Sequence, residues 1–186
     1  MSAVTVPTIF ITGPVGVGKT IVASDVSWLA EAAGIPHGGL DVDGVTWMHP
    51  APPSELAYEN VRSVWEAYRL AGATHLILAQ VIYSRADLEG FRAAVPGADI
   101  TVFRLRAELG TLLDRVVRRE RDGPGAPIHL RQAEELFHQM ESAGVEDHVV
   151  ETDERPAHDV AREIFKLSGW ASEPASRSAR SGTRRP

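Results

Sequence analysis

Thr8-Ile-Phe-Ile-Thr-Gly13-Pro-Val-Gly-Val-Gly-Lys19-Thr20 is the stretch whose reading decides the fold. An apolar strand, Ile9 to Thr12, runs straight into Gly-x4-Gly-Lys-Thr, the spacing of a Walker A phosphate-binding loop. Gly13 and Gly18 permit backbone conformations that a Cβ forbids, so that successive N–H groups can point at an anion. Gly13, Pro14, Val15, Gly16, Val17, Gly18, Lys19 and Thr20 are therefore the candidate nucleotide-holding residues. Lys19 is placed to reach the β- and γ-phosphates, and the Thr20 hydroxyl to hold Mg²⁺. The following helix carries Val22, Val26, Leu29, Ala30 and Ala33 on one face and adds the positive end of its dipole beneath the phosphates. A strand before and an amphipathic helix after are the context the motif requires. It implies nucleotide binding and leaves the reaction open.

The 186 residues are expected to form one domain over about 1–170, large enough to bury a core without staples. There is no cysteine, hence no disulfide framework, thiolate metal site or cysteine nucleophile. The N-terminal apolar run is too short for a membrane span and lacks the basic start of a signal peptide. A soluble cytoplasmic protein, monomer or homodimer, is the expectation. The formal charge of −6 argues against a nucleic-acid partner, because such domains usually carry a basic face. Residues 171–186 lack an apolar face and read as a disordered tail.

Beyond Gly34, a helix cap, a short Gly-rich strand reads from Ile35 to Val42. After Pro50, Pro52 and Pro53, Ser54 caps a helix bearing Ala57, Val61, Val64, Trp65 and Tyr68. The near-continuous apolar run His75 to Ile82 has the signature of a strand buried on both faces. A helix over Arg85 to Ala94, a strand over Ile100 to Leu105 and a helix through Leu109, Leu112, Leu113, Val116 and Val117 come next. That stripe breaks at Asp122 to Pro127, and a helix with Leu130, Ala133, Phe137 and Met140 follows. A strand at Asp147 to Glu151 and a helix from Pro156 to Leu167 complete the pattern. Alternation of this kind predicts an α/β fold, a parallel sheet with helices on both faces, and ligands at the carboxyl ends of the strands.

The second strand ends in Asp41-Val42-Asp43. If the strand persists that far, the two carboxylates share a face about 6–7 Å apart. One would accept a hydroxyl proton and the other hold a water on Mg²⁺, with Asp43 narrowly the better base. Lys19, Asp41, Asp43 and Arg119 are the candidate catalytic residues. Arg115, Arg118, Arg119 and Arg121 end a helix that opens into a Gly/Pro stretch, the composition of an Arg-rich lid over departing phosphate. Asp43, Trp47, Arg62, Gln80, Tyr83 and Arg85 are candidate acceptor contacts. Trp47, Met48 and His49 form an apolar wall just beyond the carboxylates, or simple surface packing. No histidine spacing points to a metal other than Mg²⁺.

Gly13 to Thr20, Leu40-Asp-Val-Asp43 and Leu113-Asp-Arg115-Val-Val-Arg118-Arg119 together resemble the small P-loop kinases of the nucleoside-monophosphate-kinase type. Within these, the chain looks most like the gluconate kinase, adenylylsulfate kinase and chloramphenicol phosphotransferase group, over about residues 5–168. The resemblance implies a P-loop three-layer sandwich with strand order 2-3-1-4-5. It also implies transfer of the γ-phosphoryl of ATP, with GTP the alternative, to a small-molecule hydroxyl on a metabolite, sugar acid, nucleoside or antibiotic. It places Arg115 on the adenine, Arg119 on phosphate, and Thr152 to Pro156, with Arg155, beside the base. One departure is Ala79-Gln80, where several members carry an acidic residue after the third strand. Mg²⁺ would then rest on Thr20, phosphate and water, with Asp41 nearby. A nucleotide-binding regulatory or resistance protein that transfers no phosphate is the competing reading. A GTPase is disfavoured by the missing Asn-Lys-x-Asp motif.

Overall fold

Ile9, Phe10 and Ile11 are fully buried, so β1 (Val6–Thr12) must be covered on both faces. The computed structural model describes residues 5–121 and 123–172. β1 leads through the Gly13–Thr20 loop into α1 (Lys19–Ala32), β2 (His37–Asp41) and a short α2 (Val42–Thr46). Then come α3 (Glu55–Leu70), β3 (His75–Ala79), α4 (Arg85–Ala94) and β4 (Ala98–Arg106). A helical hairpin, α5 (Leu109–Glu120) and α6 (Ala126–Ala143), precedes β5 (His148–Glu151) and α7 (Ala157–Leu167). A 3₁₀ turn, Trp170–Ser172, follows. The sheet has the expected order, β2-β3-β1-β4-β5, and every pairing is parallel.

Side chains alternate across a strand, and the two cores follow that period. Ile9, Ile11, Ile77, Phe103 and Leu105 face α1 and α7, meeting Val22, Val26, Val160 and Ile164. Phe10, Leu76, Leu78 and Val102 face α3 and α4, meeting Val61, Trp65 and Phe91. Phe91 packs edge-on against Phe10 at 5.0 Å and Tyr58 at 4.9 Å. These layers make the three-layer sandwich. Among the described residues no helix is long and apolar enough to cross a membrane.

Several boundaries differ from the sequence reading. β2 spans His37–Asp41 instead of Ile35 to Val42, because Ile35 is still tied to α1 through its N–H on the Ala30 carbonyl. Val42, fully buried, starts α2. Asp43 therefore lies on a helix, not on a strand face shared with Asp41. Gly38 of β2 has a steric role: a Cβ there would lie 2.1 Å from the Tyr68 ring of α3, whereas a Cβ on Gly39 would meet open space. β3 stops at Ala79: the Gln80 N–H still reaches the Ile11 carbonyl at 3.1 Å, but the amides after it leave the ladder. Val81 N–H donates to its neighbour Gln80 Oε1 and Ile82 N–H to the buried Thr12 Oγ1 at 3.0 Å, so the strand ends are laced together by side chains. Ser54 precedes α3 without a side-chain capping bond. The 3₁₀ turn Trp170–Ser172 takes in the first two residues of the expected tail, and Trp170 just before them is buried, edge-on to His75 at 4.7 Å. The remainder of that tail, from residue 173, lies outside the described residues.

Candidate active site

The Gly13–Thr20 loop is wedged into the carboxyl edge of the sheet. Gly13 has φ +147°, and a Cβ there would lie 2.7 Å from the Leu105 carbonyl oxygen. Gly16, at φ +87°, would place a Cβ 2.9 Å from the Leu112 carbonyl oxygen. Only glycine fits either position without displacing backbone. α1 starts at Lys19, so the N–H groups of its first turn have no partner within the helix, at the end where it meets the loop. Lys19 Nζ donates to the Gly13 and Pro14 carbonyls at 2.9 and 3.2 Å. Desolvation lowers its pKa to about 8, with Asp43 and Asp41 acting in the opposite sense and Arg119 adding to the depression.

A cleft of about 890 Å³ opens from this loop. Val15, Gly16, Gly18, Lys19 and Thr20 line one side, and Asp41, Asp43, Gly44 and Trp47 another. The α5–α6 hairpin closes it with Arg115, Arg119, Glu120, His129 and Gln132. Thr20 Oγ1 donates to Asp41 Oδ2 at 2.6 Å across the cleft floor. That oxygen pair, a hydroxyl and a carboxylate at a loop of converging amides, has the hard-donor chemistry that suits Mg²⁺ beside phosphate. The fit is thus good for a Mg²⁺-nucleotide. Among the described residues there is no cluster of three or more His, Cys, Asp or Glu able to hold a metal by itself. The Asp43 carboxylate makes no hydrogen bond to any described residue and is exposed at the cleft wall.

Arg115 is a strut. Its guanidinium donates to the Val17 carbonyl at 3.3 Å and to Thr152 Oγ1 and O at 3.0 and 2.8 Å. It thereby ties α5 to both the phosphate loop and the segment after β5. Arg119 instead pairs with Glu120, whose carboxylate also accepts from His129 Nδ1 at 2.8 Å. Hydrogen bonds from Arg119 and then His129 hold the Glu120 carboxyl below the usual range. α6 is held down at two points. Leu136 and Met140 cluster with Val81 and the loop's Val15, and buried Arg104 of β4 bonds Glu141 at 2.8 Å and Glu146 at 2.9 Å.

The remaining sequence candidates fall elsewhere. Arg118 is exposed and outside the cleft lining, as is Arg62 on α3. Arg155 is engaged with the Glu151 carbonyl and Glu163. Gln80 bonds its neighbour's amide, and Arg85 donates to the Gly144 carbonyl at 3.1 Å. Partial burial, and then the charges of Asp43 and Asp87, raise the pKa of the Tyr83 phenol, but this residue does not line the cleft. Glu120, His129 and Gln132 line the cleft without having been singled out from sequence. Their only signal was a short Gly/Pro turn between two helices, which folds the end of α5 against the start of α6.

No protein-family model matches the chain, and a search of curated proteins finds no significant match. Solved structures do match. A gluconokinase from Sinorhizobium meliloti is 19% identical, with a TM-score of 0.58 over 90% of this chain and 94% of that one. The tunicamycin resistance protein of Deinococcus radiodurans is 21% identical, with a TM-score of 0.62 over 88% and 96%. The APS kinase of Mycobacterium tuberculosis, solved with AMPPNP and APS, is 25% identical, with a TM-score of 0.53 over 88% and 97%. The chain has the P-loop kinase fold.

Proposed function

We propose that the protein is an ATP-dependent phosphotransferase that moves the γ-phosphoryl group of ATP to a hydroxyl of a small molecule. The observation that carries this reading is the Thr20–Asp41 hydrogen bond, which puts the end of β2 against the phosphate loop, with Asp43 in the same cleft. Phosphoryl transfer needs little covalent chemistry from the protein. It needs position, charge and a proton acceptor.

The residues divide accordingly. The loop amides and Lys19 grip the triphosphate, Lys19 giving up the Gly13 and Pro14 carbonyls to do so. Thr20 and Asp41 are the side chains that would hold Mg²⁺ at the phosphates, where the ion would supply charge neutralisation on the transferring group. Asp41 is committed to Thr20, which leaves Asp43 to take the proton of the acceptor hydroxyl. Arg119 exchanges Glu120 for phosphate oxygens, and Arg115 keeps the loop in register through Val17. The solved neighbours include sugar and APS kinases, which supports the class of reaction.

The test is acceptor-dependent ADP release. Incubated with ATP, Mg²⁺ and a library of hydroxylated compounds, the protein is expected to release ADP above its acceptor-free rate for at least one compound. ATP binding without stimulation by any acceptor would favour a nucleotide-binding regulatory or resistance protein instead.

A further inference from the structure

Lys19, Arg115 and Arg119 supply the positive charge in the cleft lining, and the proposed function assigns all of them to the nucleotide or to the loop that holds it. What is left for the acceptor is acidic and aromatic. Asp41 and Asp43 stand on one wall, and on the other the His129 ring is spent on Glu120. Arg62 and Arg85, the two cations that the sequence offered as acceptor contacts, lie outside the lining, and Arg85 is bonded to Gly144. Trp47 is 93% exposed, the most exposed large apolar side chain among the described residues, yet it lines this cleft. Its backbone is not loose: buried Val42 anchors α2, and Asn60 Nδ2 donates to the Val45 carbonyl at 2.7 Å. An indole held at a cleft mouth with its surface in water is an unused aromatic platform.

Resting on the phosphotransferase reading, we infer that the acceptor is an uncharged or amine-bearing alcohol with a flat apolar body, which stacks on Trp47. A carboxylate, sulfate or phosphate on the acceptor would have to sit beside Asp41 and Asp43, and among the described residues of the lining every Lys and Arg is already assigned. Like charges a few ångströms apart repel, and that repulsion disfavours the anionic acceptor. An ammonium gains from the same carboxylates and from the indole face.

A matched set of aryl alcohols tests this on the full chain with Mg²⁺ and a non-hydrolysable ATP analogue bound. Phenylalaninol (cationic), 3-phenylpropan-1-ol (neutral) and 3-phenyllactate (anionic, its hydroxyl on the neighbouring carbon) share one aryl body and differ in charge. Calorimetry is expected to rank them in that order, with phenyllactate at least tenfold weaker than phenylalaninol. Asp43→Asn should narrow that ratio at least threefold, and Trp47→Ala should weaken phenylalaninol and 3-phenylpropan-1-ol at least fivefold while circular dichroism stays unchanged. Phenyllactate binding as tightly as phenylalaninol, an unaltered affinity in Trp47→Ala, or no binding by any of the three at millimolar concentration overturns the inference. The predicted ranking without ADP release from any alcohol supports the pocket assignment and removes the phosphotransfer reading alone.

Discussion

The two walls of the cleft are built in opposite ways. The phosphate-loop wall is a run of consecutive residues, seated so tightly that Gly13 and Gly16 admit no Cβ, with Val17 buried and its carbonyl gripped by Arg115. The wall around Asp43 and Trp47 is a five-residue helix fastened by buried Val42 and one hydrogen bond from Asn60, with its cleft-facing side chains exposed. The first geometry suits a ligand part that never changes, a triphosphate. The second suits a ligand part that only its own surroundings define, and fold alone does not specify it.

Lys19→Ala should break the first wall most severely. Loss of the charge-assisted contacts to phosphate is expected to weaken ATP by about a hundredfold or more and to abolish turnover. Calorimetry reads this directly, and an unchanged ATP affinity would contradict the loop assignment. The next largest contrast is between two glycines. Gly16→Ala forces a positive φ and a backbone clash and should cost about 2–3 kcal/mol of stability. Gly44→Ala, with nothing within 4 Å, should change stability by less than about 1 kcal/mol. Equal thermal shifts in the two variants would erase the distinction between the walls.

Proton linkage sharpens the same comparison. Lys19 titrates at about 8 in the free protein, against 10.5 for an ordinary lysine. The unfolded chain therefore holds this proton where the folded chain has released it, and from this group alone stability rises with pH across that window. Triphosphate favours the ammonium, so binding takes up a proton above pH 8 and ATP affinity falls as pH rises beyond it, by up to about tenfold per unit. Affinity flat from pH 7 to 9.5 would contradict a Lys19 of this kind. The smallest effect belongs to the acceptor wall: Trp47→Ala should leave ATP affinity within about twofold while raising acceptor KM several-fold, since an exposed side chain contributes little to the fold.

The contrast also explains what was legible in the chain. Gly13 to Thr20 could be read because its chemistry is local: strand, turn and helix N-terminus follow one another. The parallel sheet was legible in the doubly buried runs of β1, β3 and β4, while the strand order came from resemblance to P-loop kinases. Asp41 and Asp43 were visible as a pair but were given a strand's geometry, since nothing in Leu40-Asp-Val-Asp announces that burial of Val42 bends the chain into α2. Glu120, His129 and Gln132 reach the cleft only because α6 is clamped through Val15, Leu136, Met140 and Arg104, contacts between residues far apart in sequence. Strand-end logic points to Gln80 and Arg85, yet Gln80 Oε1 accepts from its neighbour's N–H and Arg85 donates to the Gly144 carbonyl, away from the cleft lining.

The most direct test of the central claim is Asp43→Asn, measured in parallel for ATP affinity and for acceptor-dependent turnover. The account predicts kcat lower by about 10²- to 10⁴-fold with the ATP Kd within about threefold of the original, because the carboxylate takes the proton and does not hold the nucleotide. Undiminished kcat, or a loss confined to ATP affinity, would contradict it.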